Sequence, residues 1–200
     1  MPLAVLSRLQ RGNARFVAGL DGAPDPAAPF AAVLSCIDNR VLVEAVFDLP
    51  LGRVYSVRVA GHVLSRDVIR SLEYACAVGG ARALVVLGHT NCGAVRGACQ
   101  GTAFGHVTGL LAKIHPAIEA ATCDGPRTAD NADWVTAVAR EHVRQTCDDL
   151  LDQSPLLRTR ATEGTLGLTG ALYDVRTRRV EFLNARANQP EAATGSPDPG

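Results

Sequence analysis

An unbroken apolar run followed by histidine and cysteine constrains the fold of this chain more than any other feature. Residues 84–87 contain only Leu and Val, and a run without alternating polar residues is typical of a strand buried on both faces. Gly88 is expected to let the chain turn where that strand ends. His89 and Cys92 follow directly. Because open α/β sheets place ligand sites at the carboxyl edge of their strands, we expect both side chains at such an edge.

Composition indicates a single globular domain. The 200 residues are 47% hydrophobic, which is enough for one core. Twenty basic residues balance twenty acidic ones, so no electrostatic signature for nucleic acid or a membrane surface is present. The sequence also has no recognisable signal peptide and no apolar run near the roughly 20 residues that a membrane span needs. We therefore expect a cytoplasmic protein, in which six cysteines are better explained by metal binding and packing than by disulfides.

Short apolar runs alternate with segments of helical periodicity along the chain. The predicted strands are residues 30–35, 54–59, 84–87, 166–174 and 180–183. The predicted helices are residues 42–47, 93–99, 108–121 and 134–151, together with a helix that follows the N-cap Ser65. Pro116 is expected to bend or break the helix at 108–121. This order predicts one α/β domain with a mostly parallel central sheet flanked by helices, and the final hairpin adds an antiparallel edge strand.

Both ends of the chain are predicted to lie outside this domain, which we assign to residues 30–184. Residues 1–29 are expected to form a helix at 5–17 and an extended arm rich in Ala and Pro. Such an arm has little core of its own, and a partner subunit would offer it a packing surface. The tail at residues 185–200 is rich in Pro, Gly and Ala, a composition that predicts disorder.

Residues with metal-binding and acid–base chemistry follow three of the predicted strands. They are Cys36, Asp38 and Arg40 after the first strand, Arg58 and Gly61 after the second, and His89 and Cys92 after the third. Because parallel strands end at one edge of a sheet, these groups are expected to converge. Cys36, His89 and Cys92 then form a Cys₂His set. Three protein ligands with an open fourth position are typical of catalytic zinc, whereas four closed ligands are typical of structural zinc.

Asp38 is predicted to determine whether the fourth coordination position of the metal holds hydroxide or is closed. Asp38 and Arg40 are two positions apart, so their side chains can share one side of an extended or turning segment and form an ion pair. A carboxylate held in this way can accept a hydrogen bond from a zinc-bound hydroxide and orient it. Alternatively, Asp38 can itself bind the metal as a fourth ligand in a closed state.

The motifs Cys36-x-Asp38-x-Arg40 and His89-x-x-Cys92-Gly93 resemble those of the β-class carbonic anhydrases. Further similar segments extend the resemblance over roughly residues 6–183; they are residues 13–16, 46–48, 57–62, 71–75 and 170–174. The resemblance implies one Zn²⁺ per chain, bound by Cys36, His89 and Cys92. It also implies an orienting Asp38–Arg40 dyad, reversible hydration of carbon dioxide to bicarbonate and a proton, and a homodimer or tetramer whose partner subunit lines part of the cleft.

Some positions depart from the family pattern. Asn39 and Asn91 stand where the family often has Ser and Asp, and no glutamine precedes the first cysteine in residues 22–29. Val33 stands where some members have a tryptophan in an inhibitory bicarbonate pocket, so we expect that pocket to be absent or altered. Candidates for lining the substrate pocket are Gly93, Arg58, Gly61 and His62. His62 is interpreted either as a proton relay at the mouth of the cleft or as a structural residue.

Other interpretations stay open at this stage. The same fold and metal could serve a hydrolase of carbon disulfide or carbonyl sulfide, or a non-catalytic zinc protein. The cysteines and His89 could be ordinary core residues, and Asp38 and Arg40 an ordinary ion pair. The four remaining cysteines are interpreted as packing residues; they are Cys76, Cys99, Cys123 and Cys147. His106, His115 and His142 are interpreted as surface or helix-face residues, and Arg176, Arg178 and Arg179 as a solvated turn.

Overall fold

Five strands form one sheet in the computed structural model of the chain, which describes residues 28–183. They are β1 (Ala31–Ser35), β2 (Val54–Arg58), β3 (Ala83–His89), β4 (Gly167–Tyr173) and β5 (Val180–Leu183). The sheet order is β2-β1-β3-β4-β5, in which β5 alone pairs antiparallel. The predicted α/β domain with a mostly parallel sheet and an antiparallel C-terminal edge strand is confirmed.

Helices connect the parallel strands and cover the sheet. They are α1 (Val43–Val46), α2 (Arg66–Ala77), α3 (Gly93–Cys99), α4 (Val107–Leu111), α5 (His115–Ala120), α6 (Ala132–Gln153) and α7 (Pro155–Thr162). Short 3₁₀ turns occur at Ala60–His62 and at Ala112–Ile114. The second turn separates α4 from α5, and Pro116 stands at the start of α5, so the predicted break is confirmed.

Strand β1 lies in the middle of the core, and all five of its residues are buried. Leu34 packs into a cluster with residues of α2 and α6, whereas Val33 packs into a cluster on the opposite face. A third cluster forms where α3, α5 and α6 meet beyond the carboxyl edge of the sheet, and it contains Cys36, Cys92 and Trp134. The predicted burial of residues 84–87 on both faces is confirmed for β3, because Leu84 and Val86 pack on one face and Leu87 and the partly buried Val85 pack on the other.

Gly88 does not end β3, and the turn expected there is wrong. The strand continues through Gly88 to His89. A Cβ atom at Gly88 would lie 2.5 Å from Cγ2 of Val143, and one at Gly170 would lie 2.6 Å from Cγ1 of the same side chain. The two glycines, on neighbouring strands, therefore make room for Val143, so that α6 can approach the sheet closely.

The two helical segments after residue 130 differ from the sequence prediction. Helix α6 begins at Ala132, two residues earlier than predicted, and the Asn131 side chain accepts a hydrogen bond from the N–H of Asp133. Helix α7 was not predicted, although Ser154 caps it by accepting from the N–H of Leu157 and Pro155 occupies its first position.

The predicted segments at the two ends of the chain are not tested. The helix at residues 5–17, the tail at 185–200 and all but the last two residues of the arm at 22–29 lie outside the described residues. Within residues 28–183, no helix combines the length and apolar character needed to cross a membrane.

Candidate metal centre

Cys36, His89 and Cys92 meet at the carboxyl edge of the two central strands. Cys36 directly follows β1, His89 is the last residue of β3, and Cys92 precedes the first residue of α3. One donor atom from each residue lies within 4.8 Å of the other two, and all three residues are buried. The two sulfurs are 4.0 Å apart. The structure thus brings together three residues that are distant in sequence, in an arrangement that could hold one metal ion.

The imidazole of His89 is oriented for metal binding. Its Nδ1 atom lies 3.0 Å from the carbonyl oxygen of Thr90. Because a carbonyl only accepts, Nδ1 carries the proton and Nε2 keeps a free lone pair. Nε2 is fully buried and has no hydrogen-bond partner within the described part of the chain. A buried nitrogen without a partner is costly unless something binds it, so this donor set fits a zinc ion.

The two sulfurs lie close enough for one to donate a hydrogen bond to the other. Cys92, as a hydrogen-bond donor, lowers the pKa of Cys36 well below that of a free thiol, although burial acts in the opposite direction. The same contact, together with burial, raises the pKa of Cys92. The N–H of Gly61 donates a further hydrogen bond to Cys36 Sγ at 3.3 Å. Cys36 is therefore the sulfur that carries the negative charge first, and a divalent cation would favour loss of the second proton.

Asp38 lies beside the three donor atoms and is held by Arg40. Arg40 Nε and Nη2 donate to Oδ1 and Oδ2 at 2.9 and 2.7 Å. These hydrogen bonds lower the pKa of Asp38 to about 2, against the smaller opposing effect of burial. Oδ2 lies 4.0 Å from His89 Nε2, which places the carboxylate at the border of the site. Arg40 also donates to the carbonyl of Asn91 at 3.1 Å and so joins the two loops that carry the sulfurs.

Arg58, the last residue of β2, is directed at the main chain of the same loop. Its Nε donates to the carbonyl of Cys36 at 3.1 Å, and its Nη2 donates to the carbonyl of Asp38 at 2.7 Å. These bonds hold the loop after β1 against the end of β2. A role for Arg58 in contact with substrate stays a prediction. Gly93 adjoins Cys92, and space is open where its Cβ would lie.

Gly61 adopts a conformation that favours glycine. Its φ of +62° lies in the left-handed region. A Cβ atom there would also lie 3.0 Å from Cδ1 of Ile114 and 3.2 Å from Cβ of Ala94. Both constraints explain why a glycine stands where the main-chain N–H approaches Cys36.

His62 and His142 form a buried pair, which excludes one of the two interpretations that the sequence left open for each residue. His62 is 1% exposed, so it does not lie at the mouth of a cleft, and His142 is 5% exposed, so it is not a surface residue. Their ring centroids are 4.5 Å apart. The reason lies in α6, since His142 falls on the stripe of that helix, with Val138 and Ala139, that faces the core. Burial lowers the pKa of both rings, that of His142 to about 4, so both are neutral near pH 7.

Sequence reasoning missed one further residue near the site. Thr90 accepts a hydrogen bond from the N–H of Val175 at its Oγ1, 3.2 Å away, and its own N–H donates to the carbonyl of Tyr173 at 2.9 Å. These contacts fix the carbonyl that orients His89. No spacing signal in the sequence points to Thr90, whereas the position of His142 on an apolar helical stripe could have revealed its burial.

The other cysteines and histidines take the places predicted for them. Cys76 and Cys147 are buried in the main core, and Cys99 and Cys123 are partly buried against the cluster around Trp134. His106 and His115 are exposed, as are the arginines of the turn between β4 and β5.

The chain is similar to known carbonic anhydrases over most of its length. The family model described as carbonic anhydrase matches residues 31–180. Carbonic anhydrase 2 of Mycobacterium tuberculosis is 33% identical over 190 residues, which cover 87% of this chain and 89% of that protein. Carbonic anhydrase of Mycolicibacterium smegmatis is 32% identical over 197 residues, covering 90% and 93% of the two chains.

Solved structures share the fold at lower sequence identity. One of two tetrameric β-carbonic anhydrases from Sordaria macrospora superimposes with a TM-score of 0.68 at 22% identity, covering 92% of this chain and 93% of that one. A carbonic anhydrase from Streptococcus mutans gives a TM-score of 0.62 at 28% identity, covering 90% and 97%.

Proposed function

Because the chain belongs to the β-class carbonic anhydrases, which are lyases, we propose that it catalyses the reversible hydration of carbon dioxide to bicarbonate and a proton. The observation that carries the proposal is the buried group of Cys36, His89 and Cys92, whose donor atoms lie within 4.8 Å of one another. The ionised Asp38 beside this group supplies the acceptor that such a reaction needs.

We assign one zinc ion per chain to the three donors. The support is the chemistry of the set: two thiols, one of which ionises readily, and an imidazole nitrogen that is buried without a partner. When bound, zinc would lower the pKa of a water molecule enough to supply hydroxide near neutral pH. Within residues 28–183 no fourth Cys, His or carboxylate joins the group, which argues against a closed structural site.

Asp38 is assigned the role of orienting the reacting hydroxyl group. Its Oδ2 lies 4.0 Å from His89 Nε2, on the border of the donor group. An ionised carboxylate only accepts hydrogen bonds, so Asp38 would accept a hydrogen bond from the hydroxyl group. A lone pair of the hydroxyl oxygen would then face the carbon of the substrate. Arg40 keeps the carboxylate ionised and fixed, because it bonds both oxygens.

A closed state, in which Asp38 acts as a fourth ligand, would require a different arrangement of the pair. Arg40 Nη2 donates a hydrogen bond at 2.7 Å to Oδ2 of Asp38, the oxygen nearer to His89. This hydrogen bond would have to break before Oδ2 could bind the metal. His62 is not assigned a role in proton transfer, because it is buried and its ring nitrogens have no partner within the described residues. The proton leaves to buffer in this proposal.

We also propose an oligomer built from dimers. Ile37 and Leu42, on either side of the Asp38–Arg40 pair, are 58% and 50% exposed, and a partner subunit would shield them from water. The Sordaria macrospora proteins are described as tetrameric. Light scattering coupled to size-exclusion chromatography would test the assembly. The cytoplasmic location stays a prediction, which fractionation of the native host would test.

Stopped-flow hydration of carbon dioxide with a pH indicator, combined with a zinc count per chain, tests the proposed function. Fast turnover with one zinc ion per chain is the expected result. Release of sulfide from carbon disulfide or carbonyl sulfide without carbon dioxide turnover would contradict the substrate. A zinc-loaded protein inactive on all of these substrates would contradict catalysis altogether.

A further inference from the structure

We propose that His142 is a positioning residue for the metal centre, which acts through Gly61 on the sulfur of Cys36. The inference rests on the proposed zinc site and adds a residue from helix α6 to it. His142 is 50 positions beyond Cys92 in the sequence and belongs to none of the motifs that carry the metal ligands.

Two hydrogen bonds connect His142 to the sulfur through a single residue. Nε2 of His142 lies 2.9 Å from the carbonyl oxygen of Gly61, and because a carbonyl only accepts, Nε2 is the donor. The N–H of Gly61 then donates to Cys36 Sγ at 3.3 Å. The two polar groups of the Gly61 main chain are therefore fixed at both ends, one by the imidazole and the other by the sulfur.

The peptide group between Gly61 and His62 is held on both sides, because the N–H of His62 donates to the carbonyl of Val59 at 2.9 Å and His142 binds the carbonyl of Gly61. Gly61 has no side chain, and its φ of +62° interrupts the 3₁₀ turn at Ala60–His62. Ile114 and Ala94 limit its movement only on the side where a Cβ would lie. The hydrogen bond from His142 restricts rotation of the adjoining peptide group, and with it the direction of the N–H that faces Cys36.

His142 is itself held rigidly. It lies in the middle of the 22-residue helix α6 and is 5% exposed. Its ring packs against that of His62, with centroids 4.5 Å apart and planes inclined by 34°. A donor on the buried face of a long helix can set the position of a peptide group in a loop, whereas the reverse is not expected.

The N–H of Gly61 withdraws electron density from the sulfur and limits where the sulfur can move. When the hydrogen bond from His142 is lost, Gly61 can rotate and the N–H···S bond weakens. Outer-shell hydrogen bonds of this kind typically change metal affinity by about 10–100-fold, and we expect the lower end because His142 acts through an intervening residue.

Cobalt(II) substitution gives a readout of the sulfur that is independent of turnover. The full-length protein is loaded with cobalt(II), and the sulfur-to-cobalt charge-transfer band is recorded for wild type and His142→Phe. Phenylalanine keeps a ring against His62 but has no donor. We expect the band to move to longer wavelength because the sulfur becomes richer in electrons. Transfer of zinc to a chromogenic chelator is expected to be about tenfold faster.

Three variants separate positioning from folding. His142→Gln carries a donor at about the position of Nε2, and we expect it to restore both readouts towards wild type. Leu150→Ala removes a fully buried side chain from the same helix and is expected to lower stability without moving the band. If the phenylalanine variant does not fold, His142→Asn takes its place, because its shorter amide does not reach the Gly61 carbonyl.

The outcomes are distinguishable. The positioning role is supported if His142→Phe, or His142→Asn in its place, shifts the band and releases zinc faster, and if His142→Gln returns both readouts towards wild type. An unchanged band and zinc-release rate in the donor-free variant overturn it. A band shift that His142→Gln does not reverse, or that Leu150→Ala reproduces, overturns it as well. A wild-type chain that binds neither zinc nor cobalt would instead refute the proposed function on which the inference rests.

Discussion

Arg40 engages both carboxylate oxygens of Asp38, with Nε 2.9 Å from Oδ1 and Nη2 2.7 Å from Oδ2. The main-chain N–H of Arg40 donates a third hydrogen bond to Oδ1 at 3.0 Å. A carboxylate bonded in this way cannot rotate freely, so Oδ2 presents a fixed acceptor towards the metal centre. The pair is only partly buried, which means that its loss is expected to affect turnover more than folding.

Asp38→Asn is expected to lower kcat/KM for carbon dioxide hydration by about 100-fold, because an amide cannot replace a fixed anionic acceptor. Stopped-flow assays with a pH indicator measure the effect. The matched control is Asp67→Asn, which disrupts an exposed ion pair with Arg70, 3.1 Å long, on the surface of α2. That variant should keep wild-type turnover. Undiminished activity of Asp38→Asn would remove Asp38 from the mechanism.

Arg58→Lys should weaken the loop that carries Cys36 and Asp38. A lysine can bond one carbonyl at a time, whereas the guanidinium bonds both, at 3.1 and 2.7 Å. We expect about tenfold lower kcat/KM and a lower zinc content after dialysis against a weak chelator. Arg158→Lys, on the exposed surface of α7, is the control and should match wild type. Equal zinc retention in both variants would argue against a role of Arg58 in holding the loop.

Cys36→Ser is expected to reduce the zinc content measured by atomic absorption from about one ion per chain to a small fraction, because a serine hydroxyl is a much poorer ligand than a thiolate. Carbon dioxide hydration should fall with it. Cys123→Ser serves as the control, since Cys123 is partly buried and its Sγ donates a hydrogen bond to the carbonyl of Asp124, outside the metal centre. Retention of zinc after loss of Cys36 would refute the assigned ligand set.

Acid is expected to destabilise the fold through the buried histidines. The pKa of His142 falls from 6.5 to about 4 on folding because burial disfavours the charged ring. The unfolded chain therefore binds more protons between these values, and stability is lost as pH falls from about 6.5 towards about 4. The loss due to His142 is at most about 3 kcal/mol. Asp38, with a pKa lowered to about 2, contributes only below its ordinary value of 3.8.

Urea unfolding of wild type and His142→Gln at several pH values measures this effect. Glutamine does not titrate, so the free energy of unfolding should depend less steeply on pH in the variant than in wild type. Some dependence should remain, because the pKa of His62 is also lowered by burial. Parallel pH dependences in the two proteins would contradict the assignment to His142.

Gly88→Ala is expected to destabilise the protein by about 1–3 kcal/mol, because its Cβ would overlap Val143. Adding Val143→Ala should recover part of this loss, so that the double variant is more stable than the sum of the single effects predicts. Gly109→Ala in α4 is the control; its Cβ would meet no atom within 4 Å, and alanine favours a helix. Additive effects of the Gly88 and Val143 substitutions would show that the two do not touch.

Much of the fold follows from local sequence patterns. The apolar runs specify the strands, and the alternation with helices specifies a parallel sheet whose carboxyl edge collects Cys36, His89 and Cys92. The Asp38–Arg40 pair was predictable because two positions along a turning segment bring the side chains together. In each case a short-range pattern and one topological rule are sufficient.

The parts that could not be predicted depend on packing between distant elements. Nothing local to Gly88 shows that its missing side chain serves Val143, which is 55 positions away. The sequence around His62, which follows β2, gives no sign that this side chain is buried. Its burial depends on the position of α6, where His142 packs against it. Helix α7 has a cap and a first-position proline, but Leu157 is its one buried residue, so its apolar pattern is weak.

The sulfurs of Cys36 and Cys92 are 4.0 Å apart in space and 56 positions apart in the chain. An ion held by both would act as a cross-link that closes a loop containing α1, β2, α2 and β3. Because the pairing of β1 with β3 brings the two sulfurs together, metal capture would follow that pairing during folding. An ion that binds the folded chain and not the unfolded one would add its binding free energy to the native state and prolong the lifetime of that state.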